Sequence, residues 1–479
     1  MDPGRLYEGF LKAMGKVEPT GCQDALFRDL ADFLCTDDGD IFVLNGYAGT
    51  GKTTAISAVI NYLRLVGIRT VLLAPTGRAA KVLSAASGRP AFTVHKHIYR
   101  QQSVGDDGMG RFSLSPNKAK HCLFVVDEAS LIGAEDSRQQ QQQASIFGSG
   151  RLLEDLVTFV RMGDDCRLIL LGDAAQLPPV GLESSPALSP EAMSVFGGVR
   201  FAELSTVVRQ AQESLILSDA TKIRHLIENA SPDEYFESLD LRAGEDCEVQ
   251  RIGGGELLEA ISDAYDRYGY DDTVVLCRSN RRAIRYNLGI RSQVLFKEEQ
   301  LARGDKFMIV KNCYQFVEDV DEMDYIANGD VAVLDKIWHF EERYGLHFAD
   351  AILHFPDYDD AELQAKVCLD TLTSESASLT YEQQNALYAG VSADYADRKT
   401  KKRIWEAVRE DPFFNALQLK YADAITCHKA QGGQWSCVFI DNPFWEGTMS
   451  VEDLKWLYTA LTRAVEKVYL VNFKDNLFV

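Results

Sequence analysis

The residues Gly46-Tyr47-Ala48-Gly49-Thr50-Gly51-Lys52-Thr53 satisfy the spacing GxxxxGK[ST] in full. Glycines at this spacing let successive backbone N–H groups wrap a polyphosphate. An ammonium and a hydroxyl then fall where they would bridge the β- and γ-phosphates and hold Mg2+. The expected chemistry is binding of ATP with Mg2+. Gly46, Ala48, Gly49, Thr50, Gly51, Lys52, Thr53 and Thr54 form the cradle, and Thr53 ligates the metal. Asp127-Glu128 closes the apolar run Leu123-Phe124-Val125-Val126. A carboxylate there can reach metal beside the phosphates, so Asp127 is expected to bind Mg2+ through water and Glu128 to activate the attacking water. A third apolar run ends in Gly172-Asp173-Ala174-Ala175-Gln176-Leu177-Pro178-Pro179-Val180-Gly181, where Gln176 can contact the γ-phosphate and sense its loss. Taken alone, Asp127-Glu128 is a weak signal and the Gly172–Gly181 string also reads as a proline turn after a strand; the upstream phosphate loop joins them into a set.

These residues need a frame. Ile41–Leu44, Thr70–Ala74, Leu123–Val126 and Arg167–Leu171 are short apolar runs of buried-strand type. Between them lie helical patterns at Thr54–Val66 and Ala79–Ala86, closed by Gly67 and Gly88. Alternating strands and helices predict an α/β parallel sheet covered on both faces. The pattern returns at Thr273–Leu276, Arg281–Leu288, Ala424–Cys427, Cys437–Ile440 and Val468–Val471, with Leu454, Leu457, Tyr458 and Leu461 at helical spacing. A segment of different character, 301–419, interrupts this second unit. It has β-like runs (Phe307–Val310, Val331–Leu334, Leu346–Phe348) and turns helical and charged after Glu375. The expected domains are 1–200, 201–300 with 420–479, and an inserted 301–419.

The 479 residues allow two to four domains at about 100–200 residues each. With 46% hydrophobic and 25% charged residues, the chain has the composition of a folded protein rather than a disordered one. Acidic residues outnumber basic ones, 71 to 50, for a net charge of −21. That argues against holding nucleic acid by bulk attraction and requires any basic groove to be local. Acid gathers at Asp319–Asp324 and Asp357–Glu362, away from the motifs. The ten cysteines include no CxxC pair, so buried reduced thiols are expected rather than a zinc or redox site. No basic-apolar leader opens the chain and no apolar run reaches the roughly 18 residues of a membrane helix. A cytoplasmic protein without membrane contact is the expectation. Gln139–Gln143 reads as a surface loop.

At this point the motifs resemble superfamily 1 helicases, specifically the 5′→3′ group (superfamily 1B) of Dda- and RecD-like proteins. The string from Gly172 to Gly181 is close to a hallmark of that group. Pro19-Thr20-Gly21-Cys22-Gln23 resembles the Q motif, in which Gln23 would recognise adenine. Ala74-Pro75-Thr76-Gly77-Arg78-Ala79-Ala80 resembles motif Ia, and Thr93-Val94-His95-Lys96 the adjoining strand-binding motif. Val208-Arg209-Gln210 resembles motif IV, Asn328-Gly329-Asp330 an element of the family's inserted β-barrel, Thr426–Gly432 motif V and Tyr458–Ala464 motif VI. The resemblance implies two RecA-like P-loop domains, an inserted β-barrel-containing domain, a strand-separating hairpin at about 97–121, and ATP between the lobes. Arg209 and Arg463 would then stabilise charge on the transferring phosphoryl group from the second lobe, and Gly432 would line the nucleotide. Many relatives carry Glu where Gln434 stands, which leaves that position's role open.

Single-strand binding needs local cations and flat groups for bases to stack on. By motif position, Pro75, Thr76, Arg78, His95, Lys96, His428 and Lys429 are the expected contacts, with Asn280 from the basic cluster Arg278–Arg282. His97, Arg285, Phe112 on the hairpin and the run Arg398–Arg403 are further candidates, each of which also reads as an ordinary surface side chain. Phosphate contacts carry no sequence information, so binding would be largely sequence-independent. The implied function is an ATP-driven monomeric translocase on single-stranded DNA, moving 5′→3′ and opening forked duplex. Single-strand-binding, replication or repair proteins are the implied protein partners. An RNA helicase on the same fold, or an ATP-gated binding switch without unwinding, are the alternatives. Matched DNA and RNA oligonucleotides separate the first and a strand-displacement assay the second.

Overall fold

The structure is a computed structural model that describes residues 2–104, 110–133, 148–208, 214–231, 233–313, 315–317, 320, 323, 326–398, 400–444 and 447–479. Arg209, Gln139–Gln143 and most of Asp319–Asp324 lie outside the described residues.

The first sheet is built from β1 (Ile41–Gly46), β2 (Arg69–Ala74), β3 (Ala91–Thr93), β6 (Cys122–Val126), β7 (Arg167–Gly172) and β8 (Val199–Leu204), in the order β3-β2-β6-β7-β1-β8. Every pairing in it is parallel. The pleat explains the apolar run in β1: Phe42 and Leu44 face one core, Ile41 and Val43 the other, and all four are essentially inaccessible. Between β3 and β6, β4 (Tyr99–Val104) and β5 (Gly110–Leu114) pair antiparallel as a hairpin. Phe112 does not project from it but packs on the core beneath. The first sheet runs four residues past the expected boundary at 200, because β8 pairs with β1 through Leu204. Its exposed, polar-interrupted sequence hides that strand.

A short strand β9 (Tyr235–Phe236) pairs antiparallel with β19 (Met449–Ser450). The second sheet comprises β10 (Val249–Ile252), β11 (Thr273–Cys277), β17 (Ala424–Thr426), β18 (Trp435–Asp441) and β20 (Ala464–Val471), ordered β10-β20-β18-β11-β17 and again parallel. Inserted between β11 and β17 is a closed barrel of β12 (Lys306–Ile309), β13 (Val331–Arg343), β14 (Leu346–Phe355), β15 (Ala361–Cys368) and β16 (Leu417–Tyr421). β13 is far longer than the apolar Val331–Leu334 suggests, since its outer half is solvated and the strand carries two register shifts against β14. The barrel closes at Tyr421, two residues beyond the expected insert, by pairing β12 with β16. Two α/β lobes and an inserted barrel therefore make the fold that the motifs imply.

All ten cysteines are unbridged, and seven are buried. Among the described residues no helix is long and apolar enough to cross a membrane.

Candidate nucleotide site at the seam between two lobes

The phosphate loop leaves β1 at Gly46 and enters the helix Lys52–Leu65 through Gly51, which sits at φ +71. That left-handed backbone favours glycine, and a Cβ there would lie 2.6 Å from the Gln23 amide nitrogen. Gln23 opens the helix Gly21–Cys35 in a reciprocal cap with Thr20, its Oε1 accepting from the Thr20 N–H at 3.0 Å. Its Nε2 donates to the Thr50 carbonyl at 3.0 Å. Both ends of the amide expected to read adenine are thus engaged, one in capping its own helix and the other in bracing the phosphate loop.

Lys52, Asp127 and Asp173 converge beyond the loop. Burial pushes the Asp127 carboxyl up from its ordinary range, and the Lys52 ammonium pulls it back. Asp173 is raised by the same burial and opposed by Lys52 and by the Tyr458 hydroxyl. Glu128 follows Asp127 at φ +52, a left-handed conformation uncommon for a glutamate, which turns its side chain out of the strand's register. The Asp127 carboxylate holds that turn by accepting the Glu128 N–H at 2.8 Å. Glu128 Oε2 and Gln176 Oε1 are buried acceptors with no donor among the described residues. Two such acceptors beside an ammonium and two carboxylates suit a site built for a hydrated, metal-bound phosphate.

The second lobe reaches this site directly. The Tyr458 hydroxyl, on the helix Val451–Leu461, accepts the Ala48 N–H at 3.0 Å and donates to Asp173 Oδ2 at 2.7 Å. The next residue, Thr459, accepts the Leu177 N–H at 2.9 Å, and Gln431 donates to the Leu177 carbonyl at 2.7 Å. Arg224, buried on the helix Leu215–Asn229, lays its guanidinium 4.5 Å from the centroid of the Tyr47 ring. The Val208 N–H donates to the Gly49 carbonyl at 2.9 Å. Residues 47, 48, 49 and 50 of the loop are therefore held in turn by Arg224, Tyr458, Val208 and Gln23. The motif strings contained Tyr458 without a role for it. Arg224 lies outside every motif, and only the tertiary packing brings it to the loop.

Arg463 is buried on the same seam. Its Nε donates to the Thr459 carbonyl at 3.2 Å and its Nη1 to the Gly433 carbonyl at 3.3 Å. In this conformation it grips its own lobe rather than the phosphate loop. Gly432, at φ +75, lies against the first lobe, where a Cβ would come within 2.9 Å of Ala79 and 3.6 Å of the Thr76 hydroxyl. It packs on the helix Gly77–Ser87 instead of lining the nucleotide.

Two family models match this chain: residues 28–231 match the AAA domain and residues 421–471 the UvrD-like helicase C-terminal domain. The ATP-dependent RecD2 DNA helicase of Deinococcus radiodurans is 33% identical over 440 residues, covering 90% of this chain and 46% of that protein. These matches support a superfamily 1B helicase. The ATP-dependent DNA helicase dda of Enterobacteria phage T4 is 37% identical over 91 residues, 18% of this chain and 20% of that one. The chain spans less than half the length of these relatives. Among solved structures, the Pif1 helicase from Bacteroides in complex with ADP-AlF3 and ssDNA has 16% identity and a TM-score of 0.48, covering 97% of this chain and 95% of that one.

The residues expected to contact a strand divide into two groups. Thr76 caps the helix Gly77–Ser87 by accepting the Ala79 N–H at 3.2 Å, and Pro75 precedes it partly exposed. Arg78, expected on the strand, crosses the seam and stacks 3.9 Å from the Trp435 ring centroid, where burial lowers its pKa. Asn280 donates to the Glu375 carbonyl at 3.1 Å, and its neighbours Arg278, Arg281 and Arg282 pair with Asp453, Glu375 and Asp441. That cluster is neutralised within the fold. Lys401, Lys402 and Arg403 are exposed in the first turn of the helix Lys401–Glu410, which buries Trp405, Ala407 and Val408.

His95, Lys96, His428 and Lys429 remain at the surface or half-buried. Burial presses His95 down to about 4, so near neutral pH it offers a ring and hydrogen bonds, not charge. Lys96 lies exposed beside the accessible Phe92 ring, 5.5 Å from its centroid, a pairing of cation and aromatic that suits a strand. Lys429 donates to Asn328 of the barrel, and burial with nearby Lys420 brings its pKa down to about 8. Asp357, from a segment expected to lie away from the motifs, pairs with Lys81 on the motif Ia helix at 2.9 Å. Gln434 is exposed.

Proposed function

We propose that this chain hydrolyses ATP at the seam between its lobes and uses the cycle to move along single-stranded DNA in the 5′→3′ direction, opening forked duplex ahead of it. The observation that carries this reading is the Tyr458 hydroxyl of the second lobe on the Ala48 N–H of the phosphate loop. A nucleotide's phosphates bound to that loop would lie where the lobes touch, so chemistry there changes how they fit together.

Each residue then has a task that its position supports. Lys52 neutralises the phosphates, while Thr53 and Asp127 would hold Mg2+, whose chemistry is to draw charge from the phosphate oxygens. Glu128 accepts a proton from the attacking water, and Gln176 orients that water or the terminal phosphate through its amide. Arg463 sits one helical turn beyond Thr459 and would leave the Gly433 and Thr459 carbonyls to meet the phosphate as the seam rearranges. Arg209 is proposed for the same charge from the motif IV position. The strand would run across Thr76, His95 and Lys96 on the first lobe and His428 and Lys429 on the second. The D. radiodurans and phage relatives, both named as ATP-dependent DNA helicases, support the substrate class.

The test compares ATP turnover with and without single-stranded DNA or matched RNA, and displacement from 5′- and 3′-tailed duplexes. DNA-stimulated turnover and opening of the 5′-tailed fork alone are expected. Glu128→Gln should lower turnover by at least a hundredfold, in line with loss of a general base, while nucleotide binding persists. Turnover that ignores DNA, or survives in Glu128→Gln, would overturn the assignment.

A further inference from the structure

Among the described residues of the second lobe that touch the phosphate loop, Tyr458 is the one that occupies a group a nucleotide would itself need. The Ala48 N–H is one of the donors of the loop. It lies three residues before Gly51, whereas the β-phosphate belongs at the helix start, at Gly51 to Thr53. The Ala48 donor is therefore nearer the terminal end of the phosphate chain. The second partner of the same hydroxyl agrees: Asp173 lies 3.5 Å from the Gln176 amide nitrogen, and Gln176 and Glu128 each keep a buried acceptor without a donor among the described residues. Tyr458 thus stands at the γ end of the site, its oxygen accepting as a phosphate oxygen would and its proton tied to Asp173. The phenol is fully buried in the cluster that joins Tyr47, Ala175 and Leu177 to the second lobe, so its hydroxyl has no solvent to turn to.

We infer that the Tyr458 hydroxyl is a stand-in for the terminal phosphate, holding the lobes together without nucleotide and giving up the Ala48 N–H only to a triphosphate. A diphosphate fills the helix start and leaves the Tyr458 bridge in place. A triphosphate must displace the phenol, and that exchange is how the second lobe registers the γ-phosphate. Tyr458 is in this sense a positioning residue that acts through the loop. The inference rests on the phosphate-loop reading above, and the experiment separates the two.

Dissociation constants are measured on the full chain with Mg2+ for a fluorescent ADP and a fluorescent, non-hydrolysable β,γ-imido triphosphate. The wild type is compared with Tyr458→Phe and Lys52→Ala. In Tyr458→Phe, which keeps the ring and loses the competitor, triphosphate binding should tighten about two- to tenfold, the worth of one hydrogen bond. ADP binding should stay as in the wild type, which also reports an intact fold. If Phe at 458 prevents folding, 3-fluorotyrosine incorporated at that position keeps a hydroxyl that is a poorer acceptor, and should tighten triphosphate binding by a smaller factor in the same sense. A ratio of triphosphate to diphosphate affinity that is unchanged or lowered overturns the inference. Lys52→Ala should weaken both nucleotides. If it binds them as the wild type does, the phosphate-loop reading falls and the role of Tyr458 falls with it.

Discussion

His95 shows how a side chain's surroundings decide what it can contribute. Motif position marks it as a strand contact, and a histidine beside a phosphodiester invites a charged role. Burial holds its pKa at about 4, well under the ordinary 6.5. The linkage has a definite sign. The unfolded chain takes up a proton as pH falls through about 6.5, while the folded chain refuses one until about 4. Stability from the neutral buried ring is thus complete above pH 6.5 and is lost as pH falls toward 4. Among the eight histidines, proton NMR should show one imidazole titrating near pH 4 and absent from His95→Gln. The same variant should hold its melting temperature better than the wild type between pH 6.5 and 4.5. A His95 resonance titrating above 6 would show the ring to be solvated and charged on demand. Lys96 stands exposed beside Phe92, its own pKa lowered by burial, and in the proposed strand path the pair would divide the work between cation and ring.

At the scale of elements, the helix Gly77–Ser87 connects the three parts of the molecule. Its first residue faces the barrel so closely that a Cβ on Gly77 would meet Asp330 Oδ1 at 2.6 Å and the Tyr358 hydroxyl at 3.0 Å. Asp330 cannot easily retreat, because its other oxygen accepts the Ala327 N–H at 2.6 Å and Tyr358 donates to it at 3.1 Å. Gly77→Ala should destabilise by about 1–3 kcal/mol, the usual cost of overpacking, although alanine is the better helix former. Asp330→Ala should remove the obstacle, so that the double variant is more stable than the two single effects predict when added. Additive melting shifts would mean that the barrel does not press on this helix. Much of this level was legible in the sequence. Unbroken apolar runs such as Phe42–Leu44 and Leu123–Val126 announce strands covered on both faces, and Gly88, at φ +62, ends its helix where expected. β8 and the outer half of β13 were not legible, because their neighbours bury one face only in part and the sequence alternates irregularly. The Asp330 contact was equally hidden, since nothing within Asn328-Gly329-Asp330 says what lies opposite.

For the molecule as a whole, the sequence places the phosphate loop and its carboxylates but not the state of the seam that they share. Arg78 and Arg463 were assigned to strand and phosphate by motif position, yet both lie within the seam. Arg78 covers the Trp435 ring, and Arg463 is tied to the Gly433 and Thr459 carbonyls. Spacing along the chain cannot reveal this, because a motif fixes which residues meet in some step of a cycle and not which step is at rest. The close approach of the lobes depends on small residues. A Cβ on Gly433 would come within 2.7 Å of the Arg78 Nε, and one on Gly432 within 2.9 Å of Ala79. A buried guanidinium on an indole is worth about 2 kcal/mol when desolvated, or roughly a thirtyfold bias toward the closed seam. Arg78→Gln removes the cation and keeps a polar chain of similar reach. It should shift the unliganded population toward separated lobes, seen as a lower energy-transfer efficiency between dyes placed on the helices Lys52–Leu65 and Leu257–Tyr268. Because triphosphate supplies its own contacts across the seam, the wild-type efficiency should return when the imido triphosphate is added. If efficiency is the same in wild type and variant without nucleotide, Arg78 does not hold the lobes together and belongs to the strand path after all. If efficiency falls and nucleotide fails to restore it, closure depends on the Arg78–Trp435 stack itself rather than on the phosphates.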